Sequence, residues 1–279
     1  MEILSDGISI NVICESEIIP SNKTPIIFLH GFTGSAKDWI FIFNKLSDKY
    51  FPMAIDLPGH GKTLVPDNLE FYSTEAYKNI ISQVLQKFKI EKAIFVGYSM
   101  GGRTALSFAV DNPQKVKALI LESATAGIEK ETEKISRIKT DSDIANNILE
   151  NGINQFVNYW MELPFFQSLK SLNAKTYQKI IENKKKNSIV GLANSLKGFS
   201  TGLMPSLWNK ISRINFPTLL IVGELDRKYV RLNKEMTKKI KTSEMIVFSQ
   251  CGHNTHLENP EDFTILTNKF LNNLENNET

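Results

Sequence analysis

The sequence predicts an α/β fold with a mostly parallel central sheet, helices on both faces and an inserted helical cap. Short continuous apolar runs alternate with amphipathic stretches, which is typical of buried parallel strands joined by helices. The alternation stops near Glu122 and resumes at Pro217. Because the intervening stretch holds helical patterns and no convincing strand, we expect a core of residues 1–123 and 209–279 and a cap of residues 124–208.

The first part of the chain supplies most of the predicted strands. Residues 7–19 alternate weakly between apolar and polar side chains, which indicates an edge strand or a hairpin. Strands covered on both faces are predicted at 25–29, 52–55, 93–96 and 118–121. Helical spacing follows the first of these near residues 39–46 and the second at 77–88, where Ser73 or Thr74 supplies an N-cap. Such an order predicts right-handed crossovers.

The second part contains the predicted cap and then returns to alternation. Helical patterns run over residues 148–160 and 176–196, and they are rich in charged and aromatic residues. Strands are predicted at 217–222 and 245–248, and a final helix at 260–274. The chain shows no internal repeat and no low-complexity tract.

Composition limits the classes of function. The 279 residues are 42% hydrophobic, enough to bury a large core, and the formal net charge of +3 gives no argument for a nucleic-acid partner. The two cysteines, Cys14 and Cys251, do not form the pattern of a disulfide-rich secreted domain. Because the chain shows no signal sequence or membrane helix, we expect a cytoplasmic monomer or weak homo-oligomer that binds a small molecule.

The stretch 97–101, Gly-Tyr-Ser-Met-Gly, lies between a predicted strand and a predicted helix. A G-x-S-x-G sequence in this context is the nucleophile elbow, in which a strained turn projects the serine from the edge of the sheet. The following helix directs its N-terminus at the site and favours negative charge there. We therefore predict Ser99 as the catalytic residue; the other interpretation is a buried serine in a tight turn.

An acid and a histidine follow in the order that this chemistry requires. Asp226 comes after the strand at 217–222, and His253 comes after the strand at 245–248. Both therefore belong to loops at the carboxyl edge of the sheet, where a serine, a histidine and an acid can meet. Glu224 is the alternative acid, and His256 is the alternative base. We expect Glu224 to have a supporting role and His256 to pack.

Two backbone N–H groups are expected to stabilise a developing oxyanion. Met100 follows the serine and supplies one donor, and Phe32, in the loop after the first buried strand, supplies the other. An ordinary strand-to-helix turn is the alternative interpretation of that loop. His30 and His60 are expected to brace loops. Four histidines without a clustered ligand set predict no metal site, and we expect no cofactor.

These motifs together resemble the α/β-hydrolase superfamily. A finer resemblance rests on residues 30–35, 97–103, 121–123, 191–193 and 252–258, which read HGFTGS, GYSMGGR, LES, GLA and GHNTHLE. They are similar to the family of 2-succinyl-6-hydroxy-2,4-cyclohexadiene-1-carboxylate synthases, enzymes of menaquinone and phylloquinone synthesis. The resemblance implies a lyase in which the activated serine removes a ring proton and pyruvate is eliminated from an enolpyruvyl-bearing precursor.

The resemblance also implies cationic and aromatic contacts to a small polycarboxylate substrate. Arg103, Arg137, Trp160 and Tyr98 match positions that line the pocket in that family. Lys184 loosely matches a cap arginine, although lysine lacks the bidentate fork of arginine. Other roles remain open, because Arg103 could brace the elbow helix, Arg137 could be solvated and Trp160 could belong to the cap core.

Two further functions compete with the lyase. A serine hydrolase with the same triad could cleave an ester or a carbon-carbon bond of a small acidic substrate. A receptor or scaffold could keep the fold and bind a ligand without turnover, although a triad in the correct order argues against this interpretation.

Overall fold

The computed structural model describes residues 1–5 and 7–276. The strands are β1 (Glu2–Ser5), β2 (Ile8–Ile13), β3 (Thr24–Leu29), β4 (Tyr50–Ile55), β5 (Ala93–Tyr98), β6 (Val116–Glu122), β7 (Thr218–Gly223) and β8 (Ser243–Phe248). In the described chain they form one eight-stranded sheet in the order β1-β2-β4-β3-β5-β6-β7-β8.

The sheet is parallel from β4 to β8 and antiparallel at its first edge. β1 and β2 form an antiparallel hairpin, and β2 pairs antiparallel with β4. The pairs β4–β3, β3–β5, β5–β6, β6–β7 and β7–β8 are all parallel. The edge element predicted within 7–19 is therefore a hairpin that begins earlier, at Glu2, and ends at Ile13.

The α-helices are α1 (Ile40–Phe43), α2 (Thr74–Lys87), α3 (Met100–Asp111), α4 (Glu131–Met161), α5 (Ala174–Lys184), α6 (Ile189–Gly198), α7 (Arg227–Lys239), α8 (Thr255–Glu258) and α9 (Pro260–Asn276). Short 3-10 helices cover Ala36–Trp39, Leu69–Tyr72, Pro113–Lys115, Pro164–Ser171 and Ile211–Arg213. Ser73 caps α2, as expected, by accepting a hydrogen bond from the Ala76 N–H. No helix in the described part of the chain is long and apolar enough to cross a bilayer.

Two apolar layers lie on opposite faces of the sheet. Side chains of α2, α3 and α7 pack in one layer, together with alternate residues of the strands. Side chains of α9 and of the segment around Trp39 pack in the other layer. This arrangement confirms the predicted mostly parallel sheet with helices on both faces, and it leaves the carboxyl ends of the strands as a common edge for functional side chains.

The segment between β6 and β7 is helical throughout its regular elements and has an apolar cluster of its own, which includes Ile148, Phe156 and Leu192. α4 is interrupted at Gly152, where φ is 74° and ψ is 171°. The helical pattern predicted over 176–196 is two helices, because α5 ends at Lys184 and the Ser188 side chain caps α6 by accepting from the Gly191 N–H.

Candidate active site

Ser99 stands at a sharp turn between β5 and α3. Its φ of 50° and ψ of −102° lie in a region that costs a non-glycine residue about 1–3 kcal/mol. Glycines at 97 and 101 permit the close approach of backbone that this turn requires. A Cβ on Gly97 would lie 2.5 Å from the Gly101 carbonyl oxygen, and one on Gly101 would lie 2.2 Å from the Leu29 carbonyl oxygen. The Ser99 N–H donates to the Glu122 carbonyl oxygen at 2.8 Å, which ties the turn to β6.

Ser99, His253 and Asp226 form a continuous hydrogen-bonded chain. His253 Nδ1 donates to Asp226 Oδ2 at 2.5 Å, and Ser99 Oγ donates to His253 Nε2 at 3.0 Å. Asp226 and His253 are each 6% exposed. The carboxylate thus fixes the imidazole tautomer with Nε2 free to accept the serine proton, which is the geometry that activates a serine hydroxyl.

Helix α7 and the aromatic rings around His253 hold Asp226 and His253 in place. Asp226 is the N-cap of α7, and its Oδ1 accepts from the Tyr229 N–H at 3.3 Å. The His253 ring packs against the rings of Tyr229, Tyr98 and Phe165, with centroid distances of 4.6, 5.4 and 5.5 Å. These rings surround the imidazole and limit its rotation.

The alternative acid and base lie elsewhere. The Glu224 carboxylate accepts from the Gln250 N–H and Ser249 Oγ, each at 3.0 Å, and these bonds lower its pKa. His256 Nδ1 donates to Glu122 Oε2 at 2.6 Å, and its ring stacks on Trp39 at 4.1 Å. Glu224 therefore braces a loop, and His256 packs beneath the site.

His30 and His60 also hold loops. His30 Nδ1 donates to the Gly31 carbonyl oxygen at 2.8 Å, and its Nε2 accepts from the Leu57 N–H at 3.0 Å. His60 Nδ1 donates to the Pro58 carbonyl oxygen at 3.0 Å. Burial lowers the pKa of both imidazoles, and for His30 this favours the neutral ring that the acceptor role of Nε2 requires.

Two backbone N–H groups in residues that line the same cavity as Ser99 have free donor capacity. Within the described residues, neither the Phe32 nor the Met100 N–H donates to another protein group, and both residues line the cavity described below. Phe32 belongs to a four-residue turn in which the Gly34 N–H donates to the Gly31 carbonyl oxygen at 3.0 Å. Thr33, the third residue of that turn, has a φ of 66°.

A cavity of about 300 Å³ opens onto Ser99 and His253. Its walls come from the elbow, from α7 and from the helical segment between β6 and β7. A volume of this size suits a small organic substrate. The aromatic side chains in its lining are Phe32, Tyr98, Tyr159, Trp160, Phe165, Phe166, Phe199 and Tyr229.

Arg103 lines this cavity from the first turns of α3 and is 8% exposed. Its Nη1 donates to the Phe199 carbonyl oxygen at 3.1 Å, and the guanidinium lies 4.5 Å from the centroid of the Phe199 ring. Burial, followed by the nearby Arg137 charge, lowers the pKa of Arg103 to about 10. The side chain is therefore still a cation at neutral pH, with donors left over for a ligand.

Arg137 lines the same cavity from α4, but it has a carboxylate partner. Its Nε donates to both oxygens of Asp141, at 2.9 and 2.8 Å, and Asp141 also accepts from Ser200 Oγ at 2.6 Å. Burial alone lowers the pKa of Arg137, but the attraction of Asp141 outweighs it and the net direction is upward. Arg137 thus faces the cavity with much of its charge already balanced.

Tyr98 and Trp160 also belong to the cavity wall. Tyr98 precedes Ser99 and is 5% exposed, and burial raises the pKa of its phenol. The Trp160 ring packs against Phe32, Phe156 and Phe166 at 5.3, 5.4 and 5.8 Å. Trp160 is therefore both a wall of the cavity and part of the apolar cluster between β6 and β7, so the two roles left open by the sequence coexist.

The structure does not bring Lys184 into the cavity. Lys184 is the last residue of α5 and is 5% exposed, and its Nζ donates to Thr33 Oγ1 at 3.0 Å. The ammonium contacts the loop of residues 31–34, and Lys184 is not among the residues that line the cavity. The structure therefore places the Lys184 ammonium against Thr33 and not in the cavity, where the sequence predicted it.

Lys228 and Tyr229 line the cavity, and neither was predicted from the sequence. Burial and the Arg137 charge lower the pKa of Lys228. Their position in the sequence could have indicated this role. Asp226 is the N-cap of α7, so Lys228 and Tyr229 belong to the first turn of that helix and lie close to the aspartate. With Lys228, the lining holds three cations, and Asp141 is the acid that accompanies them in the described lining.

No cluster of three or more His, Cys, Asp or Glu suited to a metal ion occurs among the described residues. The polar groups of the site are instead the serine-histidine-aspartate chain, two backbone donors and the cations. This set can move a proton and bind a carboxylate.

Comparison with known proteins agrees with this geometry. A family model of the alpha/beta hydrolase fold matches residues 24–260. A Bacillus subtilis (strain 168) protein, provisionally named 2-succinyl-6-hydroxy-2,4-cyclohexadiene-1-carboxylate synthase, is 38% identical over 96% of this chain and 96% of its own length. The Serratia proteamaculans (strain 568) protein of that name is 28% identical over 88% and 92%.

A solved structure gives the same result. The structure of MenH from S. aureus superposes with a TM-score of 0.89 and 32% sequence identity, covering 95% of this chain and 98% of that one. Similarity over nearly the full length of both partners includes the sheet, the elbow and the helical segment between β6 and β7. The chain therefore belongs to the alpha/beta-hydrolase fold family and, within it, to the family of 2-succinyl-6-hydroxy-2,4-cyclohexadiene-1-carboxylate synthases.

Proposed function

We propose that this protein is a carbon-oxygen lyase of menaquinone or phylloquinone synthesis. Its reaction eliminates pyruvate from 2-succinyl-5-enolpyruvyl-6-hydroxy-3-cyclohexene-1-carboxylate and leaves 2-succinyl-6-hydroxy-2,4-cyclohexadiene-1-carboxylate. The observation that carries the proposal is the joint lining of one cavity by Ser99, His253 and three cationic side chains. A substrate with three carboxylates needs such cations, whereas a pocket for a neutral lipid would be apolar.

The triad supplies the base. Ser99 passes its hydroxyl proton to His253 Nε2, and Asp226 stabilises the resulting imidazolium. The Ser99 oxygen takes the ring proton at C2, which is acidified by the adjacent succinyl ketone. The electron pair then forms the C2–C3 double bond, the C3–C4 double bond moves to C4–C5, and the C5–O bond breaks. The proton on His253 balances the departing enolate, which becomes pyruvate.

Phe32 and Met100 are the proposed oxyanion donors in this reaction. Removal of the C2 proton places negative charge on the ketone oxygen, and two aligned N–H groups stabilise that charge most where it develops. Removing one such donor in an enzyme typically costs about 100- to 1000-fold in rate. Their uncommitted N–H groups next to Ser99 support this role.

We assign substrate contacts to Arg103, Arg137, Tyr98 and Trp160, and we add Lys228. All of them line the cavity next to Ser99. We also propose that residues 124–208 act as the cap over the site. The two cysteines, Cys14 and Cys251, are unpaired thiols, which fits a reducing cytoplasm. In this proposal the enzyme works there as a monomer or weak homo-oligomer.

The triad and its N–H donors would also serve ester hydrolysis, so a serine hydrolase acting on a small acidic substrate is the second candidate. The cationic lining favours the lyase. The test is pyruvate release from the enolpyruvyl cyclohexene precursor, followed with lactate dehydrogenase and NADH. Turnover that falls about 1000-fold or more in Ser99→Ala supports the lyase. Rapid hydrolysis of p-nitrophenyl esters without pyruvate release would favour the hydrolase instead.

A further inference from the structure

Two buried side chains at the end of α5 hold one residue of the loop that carries Phe32. Lys184 Nζ donates to Thr33 Oγ1 at 3.0 Å, and Asn187 Nδ2 donates to the Thr33 carbonyl oxygen at 2.8 Å. Lys184 is 5% exposed and Asn187 is 6% exposed. Asn187 Oδ1 also accepts from the Gly61 N–H at 2.8 Å, so the contact is anchored in a second loop of the core.

Thr33 adopts a conformation that its side chain disfavours. In a turn closed by the Gly34 N–H and the Gly31 carbonyl oxygen, Thr33 is the third residue and has a φ of 66°. Turns of this kind usually place glycine there, because a β-branched side chain is strained at positive φ. Such strain persists when surrounding contacts fix the residue, and Lys184 and Asn187 supply those contacts on both its side chain and its backbone.

The conformation of Thr33 determines where the Phe32 N–H points. Phe32 is the second residue of the same turn, so relaxation of Thr33 would rotate the peptide units on either side of it. An oxyanion donor acts only when it lies within hydrogen-bond distance of the charged oxygen, and small displacements reduce its effect. The contacts of Thr33 therefore influence the proposed oxyanion donor through Phe32, the residue bonded to Thr33.

The Lys184 ammonium contacts the turn of residues 31–34 and not the cavity. The Nζ is bonded to Thr33 and lies 5.8 Å from the centroid of the Phe166 ring, which itself lines the cavity. Lys184 is not part of that lining. The ammonium therefore reaches the site through the turn of residues 31–34.

We propose that Lys184 is a positioning residue that, with Asn187, clamps Thr33 and thereby aligns the Phe32 N–H with Ser99. Because of this clamp, the orientation of the Phe32 N–H depends on how α5 packs against the loop of residues 31–34. This inference rests on the proposed function, because the alignment of Phe32 matters only when charge develops beside it.

The test is a double-mutant cycle of Lys184→Met, Thr33→Val and the double variant. Met keeps the length of the side chain without the charge, and Val keeps the β-branch without the hydroxyl. We expect each single variant to lower kcat for pyruvate release about tenfold while KM changes less than about twofold. The double variant should be no slower than the slower single variant, because both changes remove the same interaction.

Lys186→Met is the matched control, because Lys186 is an exposed lysine whose Nζ contacts Asn183 Oδ1. Thermal unfolding of every variant gives the folded fraction used to normalise kcat. A rise in KM confined to Lys184→Met, with Thr33→Val equal to wild type, would restore the substrate contact and overturn the clamp. Wild-type kinetics in both single variants would overturn it as well.

Labelling of Ser99 by a neutral fluorophosphonate separates this inference from the proposed function. The phosphoryl oxygen of the probe uses the same N–H donors, but its reaction requires no particular physiological substrate. If Lys184→Met and Thr33→Val each slow labelling, and the double variant is no slower than the slower single variant, the clamp is supported even when the wild type releases no pyruvate. Equal labelling rates in all variants contradict the clamp even if pyruvate is released.

Discussion

At the scale of single residues, Arg103 and Arg137 differ in how much of their charge is available. Arg137 has its Nε committed to both oxygens of Asp141. Arg103 donates to a backbone carbonyl oxygen and lies over a ring, and no ion pair joins it to a carboxylate in the described chain. A buried cation without a carboxylate gains most from an anionic ligand, because the ligand supplies the missing partner.

Arg103→Met should therefore raise KM for the cyclohexene substrate at least about tenfold and leave kcat within about threefold of wild type. Arg137→Met should have a smaller effect on KM, because Asp141 already neutralises part of the charge of Arg137. Steady-state pyruvate release measures both variants. Equal KM values for Arg103→Met and wild type would remove Arg103 from the binding site.

A second prediction concerns Lys228. Its pKa is lowered from 10.5 by burial, then by Arg137; Arg231 also lowers it, whereas Asp226 and Glu133 oppose the shift. A lowered pKa means that the ammonium loses its charge at a lower pH than an ordinary lysine. Binding of an anionic substrate should then weaken as pH rises, with KM increasing at a lower pH than an ordinary lysine would give.

The KM–pH profile of Lys228→Met checks this assignment. The variant should have a higher KM at pH 7 and a flatter profile, because one of the cations that lose their charge at alkaline pH is gone. Lys228→Arg should keep the low KM to higher pH, since arginine stays charged there. A profile in Lys228→Met that rises as steeply as that of the wild type would assign the alkaline change to another group.

At the scale of elements, the loop between β8 and α8 is held by two carboxylates outside the triad. Glu258 accepts from the N–H groups of Gly252 and Asn254, at 2.7 and 3.1 Å, which are the residues on either side of His253. Glu122 accepts from Thr255 Oγ1, the His256 N–H and His256 Nδ1 at 2.8, 3.0 and 2.6 Å. The imidazole thus stands on a short segment fixed from both ends.

Glu258→Gln should lower kcat about tenfold, because a single amide oxygen replaces the two carboxylate oxygens that accept these N–H groups. KM should change little, since Glu258 is not part of the cavity lining. Glu261→Gln is the control, because Glu261 is exposed and pairs with Lys45 at the surface. Pyruvate release and thermal unfolding are measured together. A normal kcat in Glu258→Gln would show that His253 holds its position without this carboxylate.

The elements that were predicted well are those in which the pattern of apolar residues in the sequence follows the pattern of burial. Continuous apolar runs identified β3 to β7 because both faces of those strands are covered. Helical periodicity gave α2 and α9 for the same reason, since one face of each packs against the sheet. The interruption of α4 at Gly152 and the separation of α5 from α6 were not predicted, because a helix with polar faces can keep its periodicity across a break.

The triad was predicted because each member follows a strand of one parallel sheet, and the carboxyl ends of such strands meet at one edge. The geometry matches that expectation, with Ser99 and Asp226 both bonded to His253. Contacts from the segment between β6 and β7 were harder to predict, since they depend on how α4 and α5 lie against the rest of the chain. Lys184 was expected in the cavity and contacts Thr33, whereas Lys228 was overlooked and lines the cavity.

At the scale of the whole molecule, electrostatics should affect capture of the substrate more than the chemistry. The formal net charge is +3, and a cavity of about 620 Å³ adjoins the one at Ser99, sharing Arg137, Thr140, Thr201, Lys228 and Tyr229 with it. A trivalent anion approaching these cations is attracted over distances comparable to the Debye length, about 10 Å at 0.1 M salt.

Raising ionic strength from about 20 mM to about 500 mM should therefore lower kcat/KM for pyruvate release severalfold, with kcat almost constant. Labelling of Ser99 by the neutral fluorophosphonate is the control and should not respond to salt. Titration with NaCl and with KCl gives the measurement and excludes an effect of one ion. A constant kcat/KM across this range would contradict electrostatic capture.

The segment between β6 and β7 begins directly after Glu122 and Ser123, so all three members of the triad lie outside it. Of the proposed substrate contacts, Arg137 and Trp160 lie within the segment, whereas Arg103, Lys228 and Tyr98 lie outside it. Exchanging this segment for another would therefore replace part of the cavity lining and leave Ser99, Asp226 and His253 in place. The grip of Lys184 and Asn187 on Thr33 sets a condition on such chimaeras: a transplanted insert must bring its own partner for that threonine.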